Sequence, residues 1–388
     1  MFEDLVVVDF TRVVAGPYCT RMLADLGAQV IKIDALPEEV DKFEDIISVE
    51  DAARLRSAGG ISNNLGKRSL SIDLKAPDSG EVINRLLSRA DVVVENFKPG
   101  VMESLGFGPK TCLELNRRLI YAGLSGFGQD SSRRAFGATA HAESGWLWVQ
   151  QQAASIDEIF APGVTVADLV TGSNAFSGIL AALYAREKTG SGQIVDVSLM
   201  DSQFQMLNSV MEPILNGAEE HEFKSFRHPL YKSQDDKMIS INIGNSRNWG
   251  RIAQAIGEPN TQMPDSPKLS DDLIRTWVAN LSCEDLAARM DAHGAPYGIT
   301  LTAHEAASHS HFQDRRMIAE VPDPIQGSIR AVNSPLFFSE IQSEATQAAP
   351  LIGQHTEAVL GEIGLSDEQI EKLSSARVTF QLPPIEQE

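Results

Sequence analysis

The sequence predicts an α/β protein, with a doubly wound parallel sheet in a large lobe and a smaller α+β lobe in the middle of the chain. Two observations carry this. Over the first 200 residues, short valine- and isoleucine-rich runs, apolar at consecutive positions as strands buried on both faces must be, alternate with amphipathic helical segments. After Met200 the alternation stops, and a chain of 388 residues exceeds what one compact core usually holds.

Leu5 to Asp9 and Gln29 to Asp34 read as strands, with a helix over Tyr18 to Leu26 between them. Ser79 to Ala90 sets Val82, Ile83, Leu86 and Leu87 on one helical face, and Asp91 to Glu95 follows as a buried strand. Arg118 to Leu124 is a further strand. The apolar helix Ser173 to Lys188 is closed by Thr189, Gly190, Ser191 and Gly192 before the strand Ile194 to Ser198. A helical stretch to Leu215 and the charged segment Asn216 to Arg227 lead into the second lobe. There Met238 to Ile243 alternates like a strand, and Trp249 to Ile256, Asp271 to Ala279 and Cys283 to His293 read as helices. Short strand-like pieces start near Pro322, and the amphipathic helix His355 to Ile363 returns to the large lobe. The expected division is therefore 1–200 plus 322–388 for the large lobe, 201–215 as a linking helix and 216–321 for the small lobe.

Lys and Arg number 33 against 53 Asp and Glu, a net charge of −20 that opposes binding to nucleic acid or an anionic membrane. The acidic start at Glu3 and Asp4 is unlike a signal peptide, and the most apolar stretch, Phe176 to Ala185, is short for a membrane span. A cytoplasmic location is expected. Three cysteines, Cys19, Cys112 and Cys283, form no disulfide or zinc pattern, and no metal is expected. The eight histidines are scattered and read as surface residues.

Residues 11–17 after the first strand match neither a dinucleotide fingerprint nor a P-loop, which disfavours a Rossmann dehydrogenase, and Gly-x-Ser-x-Gly is absent. Asp168, in Val166-Ala167-Asp168-Leu169-Val170-Thr171-Gly172, stands just before the long apolar helix. A carboxylate at a helix start is held ionised and fixed in direction, which serves either a plain N-cap or a carboxylate nucleophile. Lys67, Arg68 and Lys75 flank the run Ser69 to Leu74, Lys98 stands at the C-terminal end of a predicted strand, and Arg133 and Arg134 sit in the loop after Gly128. Ligands of doubly wound sheets bind outside strand ends, so these loops could converge on one anion, while each cation alone is also an ordinary surface residue.

Six segments in order resemble the class III CoA-transferases, the CaiB/BaiF family. They are DFTRVVAGP at 9–17, LADLGAQVIK at 23–32, KRSLSIDLK at 67–75, VENFKPG at 94–100, KTGSGQ at 188–193 and GQHT at 353–356. The resemblance implies a Rossmann-like CoA-binding large lobe and an interlocked homodimer. It implies an acyl-CoA:carboxylate CoA-transferase, with acyl-CoA and a small carboxylic acid as substrates and no permanently bound cofactor. It makes Asp168 the nucleophile, working through an aspartyl anhydride and an aspartyl-CoA thioester. It puts CoA against Val14 and Ala15, Ile72, Asp73, Leu74 and Lys75, Asn96, Phe97 and Lys98, and Arg134, Phe136 and Gly137. In an acidic protein Lys75, Lys98 and Arg134 are then expected to gather into a local patch for the phosphates.

Departures from formyl-CoA transferase argue against formyl-CoA to oxalate transfer: two of its arginines read as Ala35 and Ser104, its glutamine reads as Val14, and its glycine loop reads as residues 226–232. In that last segment Arg227, His228, Tyr231 and Lys232 fit either a carboxylated acyl group or a basic surface linker. The alternatives are an α-methylacyl-CoA racemase, for which Phe136 occupies the histidine position while His141 and Glu143 lie nearby, and a CoA-binding homologue without catalysis.

Overall fold

The computed structural model describes residues 1–37, 58–154, 156–219, 229–264, 267–323, 325–341, 343 and 347–382. β1 (Val6–Asp9), α1 (Ala15–Asp25) and β2 (Gln29–Asp34) form the first parallel unit. After α2 (Ala58–Asn64), β3 (Arg68–Ile72) lies parallel to β2, and α3 (Ser79–Arg89) carries the chain back to β4 (Val92–Glu95) on the other side of β1. The short helices α4 (Val101–Ser104) and α5 (Pro109–Leu115) lead to β5 (Ile120–Ser125). α6 (Gly137–Glu143), α7 (Trp146–Ala154) and α8 (Val166–Thr189) precede β6 (Ile194–Ser198), and α9 (Leu199–Gln205) and α10 (Asn208–Leu215) follow it.

Successive side chains of these strands point to opposite faces, and in the central strands β1, β4 and β5 both faces are buried, whereas the edge strand β6 is exposed at Ile194. Val8, Ile31, Ile33, Val93 and Tyr121 pack under Ile83 and Leu87 of α3. Val7, Val30, Val92, Val94 and Ile120 pack against Leu23 of α1 and Phe176 and Ile179 of α8. This double burial is why the strands are continuous apolar runs.

α8 begins at Val166, seven residues ahead of the expected Ser173, so Asp168 is not a cap but the third residue of the helix. Its 24 residues, with a mean hydropathy of 1.3 over its most apolar window, are long and apolar enough by length and composition to cross a membrane, which corrects the reading based on 176–185 alone. In the fold, Ala175, Phe176, Ile179 and Ala182 of this helix belong to the layer that covers the sheet.

Contacts divide the chain into Met1–Gln151, Ile156–Glu222 and Arg316–Glu388 on one hand, and Gln152–Ser155 and Phe223–Arg315 on the other. The second unit holds an antiparallel sheet of β7 (Leu230–Lys232), β8 (Met238–Ile241) and, after α11 (Ser246–Ile256), α12 (Pro267–Val278) and α13 (Cys283–His293), β9 (Tyr297–Ile299). Tyr231, Ile239, Trp249, Ile252, Leu286 and Met290 form its core. The short helices α14 (Ala303–Ala307) and α15 (Ser310–Asp314) end it. Its main segment, Phe223–Arg315, lies inside the expected 216–321, ending earlier because β10 (Ile318–Asp323) pairs with β11 (Gly327–Val332) as a hairpin of the first unit, while Gln152–Ser155 joins it from outside that range. The chain ends with α16 (Thr356–Glu362), α17 (Asp367–Ser375) and the edge strand β12 (Thr379–Phe380), antiparallel to β3. The large sheet runs β12-β3-β2-β1-β4-β5-β6, parallel apart from β12.

Candidate active site

The strand order reverses between β1 and β4, and in doubly wound sheets the crevice outside the carboxyl ends at such a point receives the ligand. A cleft of about 670 Å³ opens there. Arg12 lines it after β1, Asp34 and Ala35 at the end of β2, Ile72 to Lys75 at the end of β3 and beyond, and Phe97 after β4, with Ser104 farther along.

The loop after β1 is pinned from beneath. Asp9, fully buried, accepts hydrogen bonds from the Thr11 N–H (2.8 Å) and hydroxyl (2.5 Å), from the Thr20 hydroxyl (2.7 Å) and from Lys67 Nζ (2.9 Å). Burial works to raise the Asp9 carboxyl, but Lys67, Lys32 and the two hydroxyls together hold it below the usual carboxylate range. Lys67 is equally buried and also donates to the Pro17 carbonyl and Asn64 Oδ1. Removing only the ammonium would strand the Asp9 charge, so Lys67→Met is expected to cost roughly 3–5 kcal/mol of stability; a urea-unfolding loss of under about 1 kcal/mol would contradict it.

From above, Asn96 clamps the same loop: the Arg12 N–H donates to its Oδ1 at 2.8 Å and its Nδ2 donates to the Arg12 carbonyl at 2.7 Å. Between these ties Val13 is forced to φ +70°, a conformation costly for a β-branched residue, and is 59% exposed. The strained turn delivers Val14 and Ala15 to the start of α1.

Close backbone approach brings α8 against this loop and against α6. A Cβ on Gly172, one turn beyond Asp168, would lie 2.5 Å from the Ala15 carbonyl oxygen. A Cβ on Gly137 would lie 2.2 Å from Asp168 Oδ2, so the carboxylate rests directly on the first residue of α6. The Asp168 side chain is half-buried and forms no ion pair among the described residues. Burial raises its carboxyl above the usual range, partly offset by a hydrogen bond from its own N–H. An unpaired, partly desolvated carboxylate with a fixed seat has the properties of a nucleophile.

The expected site residues thus fall into two groups and a remainder. Ile72, Asp73, Leu74, Lys75 and Phe97 line the cleft. Ala15 and Gly137 lie beside Asp168 or one turn from it, with Val14 preceding Ala15 and the 72%-exposed Phe136 preceding Gly137. Asn96 is spent on holding Arg12. Lys98 and Arg134 are exposed and line no part of the cleft, so the expected patch of three cations is not gathered around it. Among the described residues the cations lining the cleft are Arg12 and Lys75, with the carboxylates Asp34 and Asp73 also on its lining. The Ala35 and Ser104 departures both fall on its wall.

Several cations read as anion ligands are engaged elsewhere. Lys67 serves Asp9, Arg68 pairs with Glu362 through two bonds of 2.7 Å, and Arg133 pairs with Glu143. Tyr231 is buried with its hydroxyl on Asp271, and Lys232 pairs with Asp236 at 2.6 Å; Arg227 and His228 lie outside the described residues. His141 is not a surface residue: it is buried, and its Nε2 accepts the Ala167 N–H at 3.0 Å. His355 is half-buried, its Nδ1 accepting the Ser69 N–H. His141 and Glu143 are thus both engaged with other protein groups in this structure.

Sequence reasoning missed Arg12 as a cleft residue and Glu95 as the residue that shapes the 95–98 turn. Glu95 accepts from the Phe97 N–H at 2.8 Å, and burial pushes its carboxyl up to about 7. A lone carboxylate ending a run of three valines was the available signal.

A model of CoA-transferase family III matches residues 2–356. An acyl-CoA transferase of Fusarium pseudograminearum is 32% identical, over 94% of this chain and 85% of its own length. A formyl-CoA:oxalate CoA-transferase of Streptomyces coelicolor is 30% identical, over 97% of this chain and 98% of its own. A crystal structure of a CaiB/BaiF family protein from Brucella suis, 25% identical, superposes with a TM-score of 0.77 over 92% of this chain and 98% of that one. Matched over residues 2–356 by that model and at 30–32% identity along nearly its whole length by these relatives, this chain belongs to CoA-transferase family III.

Proposed function

We propose that the protein transfers CoA from an acyl-CoA to a small carboxylic acid, with Asp168 as covalent nucleophile. The observation that carries this is the seat of Asp168: an unpaired carboxylate on the Gly137 backbone, one helical turn from Ala15, whose loop leads back through Val14 and Val13 to Arg12 on the cleft wall. CoA in the cleft would run its thioester along that loop to the carboxylate.

Each step balances without a net proton. Asp168 Oδ attacks the thioester carbonyl, the C–S bond breaks, and an anhydride and CoA thiolate form. The thiolate attacks Asp168 Cγ, releasing the donor acid as its carboxylate and leaving an aspartyl-CoA thioester. The acceptor carboxylate attacks that thioester, again giving an anhydride and thiolate. The thiolate then takes the acceptor's acyl group and Asp168 is freed. Water must be kept from the anhydrides, since hydrolysis would waste the donor. The route has an isotopic signature: an acceptor with both carboxylate oxygens labelled leaves one on Asp168, and the next turnover passes it to the donor acid. Transfer with no label reaching the donor acid would contradict this reading.

Lys75 is the cleft cation best suited to a phosphate. Lys75→Ala is expected to raise KM for acyl-CoA about tenfold at low salt with kcat unchanged, an effect that shrinks at high salt; steady-state kinetics at two ionic strengths check it. The working form is a homodimer, interlocked as the family resemblance implies. Support comes from α10, apolar yet without a buried residue, and from the exposed Tyr184, Ile194 and Leu215. Light scattering should give the mass of two chains.

A further inference from the structure

The first N–H groups of a helix have no partner within it, and at α8 the usual remedy is missing, since the Thr165 side chain makes no capping bond. The N–H of Ala167, second residue of the helix, is met instead by a side chain from another element: His141 Nε2 of α6, 3.0 Å away and buried. Gly137 and His141 are four residues apart and share one face of α6. That face touches the head of α8 at two points, Gly137 under the Asp168 carboxylate and His141 on the N–H of the residue before it. Ala140, Ala167 and Leu199 fill the space between as a small apolar cluster. The imidazole is 2% exposed and packed against Trp146, ring centroids 5.1 Å apart.

We propose that His141 is the positioning residue of the nucleophile: by accepting the Ala167 N–H it fixes the direction of the first turn of α8 and keeps that donor off the Asp168 carboxylate. An imidazole accepts at Nε2 only when it is neutral with its proton on Nδ1. Burial, which holds His141 below the ordinary histidine pKa, keeps it neutral. A carboxylate at the third helical position turns back toward nearby N–H groups, as Asp168 does to its own, and each further such bond makes it a weaker nucleophile. This role rests on the transferase reading above.

The test compares His141→Gln, whose amide oxygen can replace the Nε2 acceptor, with His141→Met, which has the same length and no comparable acceptor, in the full-length protein. The Ala167 amide is expected to be protected from hydrogen exchange in the parent and in the Gln variant and to exchange about tenfold or more faster in the Met variant. The Met variant should lose about 100-fold in kcat with KM for acyl-CoA nearly unchanged, and the Gln variant should recover most of it. A Met variant with the parent's kcat, or a Gln variant as impaired as Met, overturns the proposal. Should the Met variant not fold, ¹⁵N spectra of the parent decide: the Nδ1–H tautomer supports it and the Nε2–H tautomer overturns it. A parent that forms no Asp168 adduct with acyl-CoA defeats the transferase reading and this role with it, whereas a parent that forms the adduct beside an unimpaired Met variant defeats the role of His141 alone.

Discussion

Asp168→Asn is expected to abolish CoA transfer, by about 10⁴-fold or more in kcat, while leaving the protein folded. The amide has the carboxylate's shape but cannot displace a thiolate. Stability should not fall. Burial raises the Asp168 carboxyl above its usual range, so the folded protein binds that proton more tightly than the unfolded chain and the ionised group contributes no stability at neutral pH. A neutral isostere therefore loses nothing in the fold and removes the desolvation of a charge, the expected pattern where activity is held against stability. In the parent, transfer should decline as the pH drops through the raised Asp168 pKa, because only the carboxylate attacks. Thermal melts with a transfer assay check both parts. An Asn variant that is strongly destabilised, or one that retains transfer, would contradict the assignment.

Gly137→Ala should come next in size. Its Cβ would lie 2.2 Å from Asp168 Oδ2, well inside contact distance, and the group that must yield is the end of a side chain rather than backbone. The fold can absorb this by rotating Asp168, but the reaction cannot, since the carboxylate leaves its seat. A loss of about 100-fold in kcat is expected, with acyl-CoA affinity and melting temperature close to the parent's. Gly172→Ala differs in kind: its Cβ would be 2.5 Å from the Ala15 carbonyl oxygen, which is backbone, so stability should fall along with activity. A Gly137→Ala enzyme with parental kcat would mean that Asp168 does not work from this position.

The contrast between the sheet and the site shows what a sequence can carry. β1, β4 and β5 were legible because burial on both faces leaves runs that are apolar at nearly every position, as in Val6 to Val8 and Val92 to Val94, and β2 and β6 from the shorter apolar pairs Val30–Ile31 and Ile194–Val195. β3 was not read as a strand because its alternate positions are serines. These are buried all the same, Ser69 donating to Asp34 Oδ2 at 2.5 Å and Ser71 to the Ala35 carbonyl at 2.9 Å, partners that only the folded sheet supplies. The start of α8 was set too late because its first turn depends on packing against α6 rather than on a capping residue.

In the site, Asp168 could be singled out from its place before an apolar helix, but not what it rests on. Gly137 and His141 acquire their roles only when α6 meets α8. The cations misled for a related reason. Lys67 looks like any lysine beside a strand until Asp9, 58 positions earlier, is found to hold it in the interior. Charge was therefore assigned to the ligand that the fold had already used.

The central claim, a covalent bond between Asp168 and the substrate's acyl or CoA group, is tested most directly by trapping it. The protein is incubated with acyl-CoA in the absence of acceptor, quenched with hydroxylamine, digested and read by mass spectrometry. The expected result is a hydroxamate on Asp168, absent from the Asp168→Asn variant and from protein without acyl-CoA. Full transfer activity with Asp168 unmodified, or with the hydroxamate on another carboxylate, would contradict it.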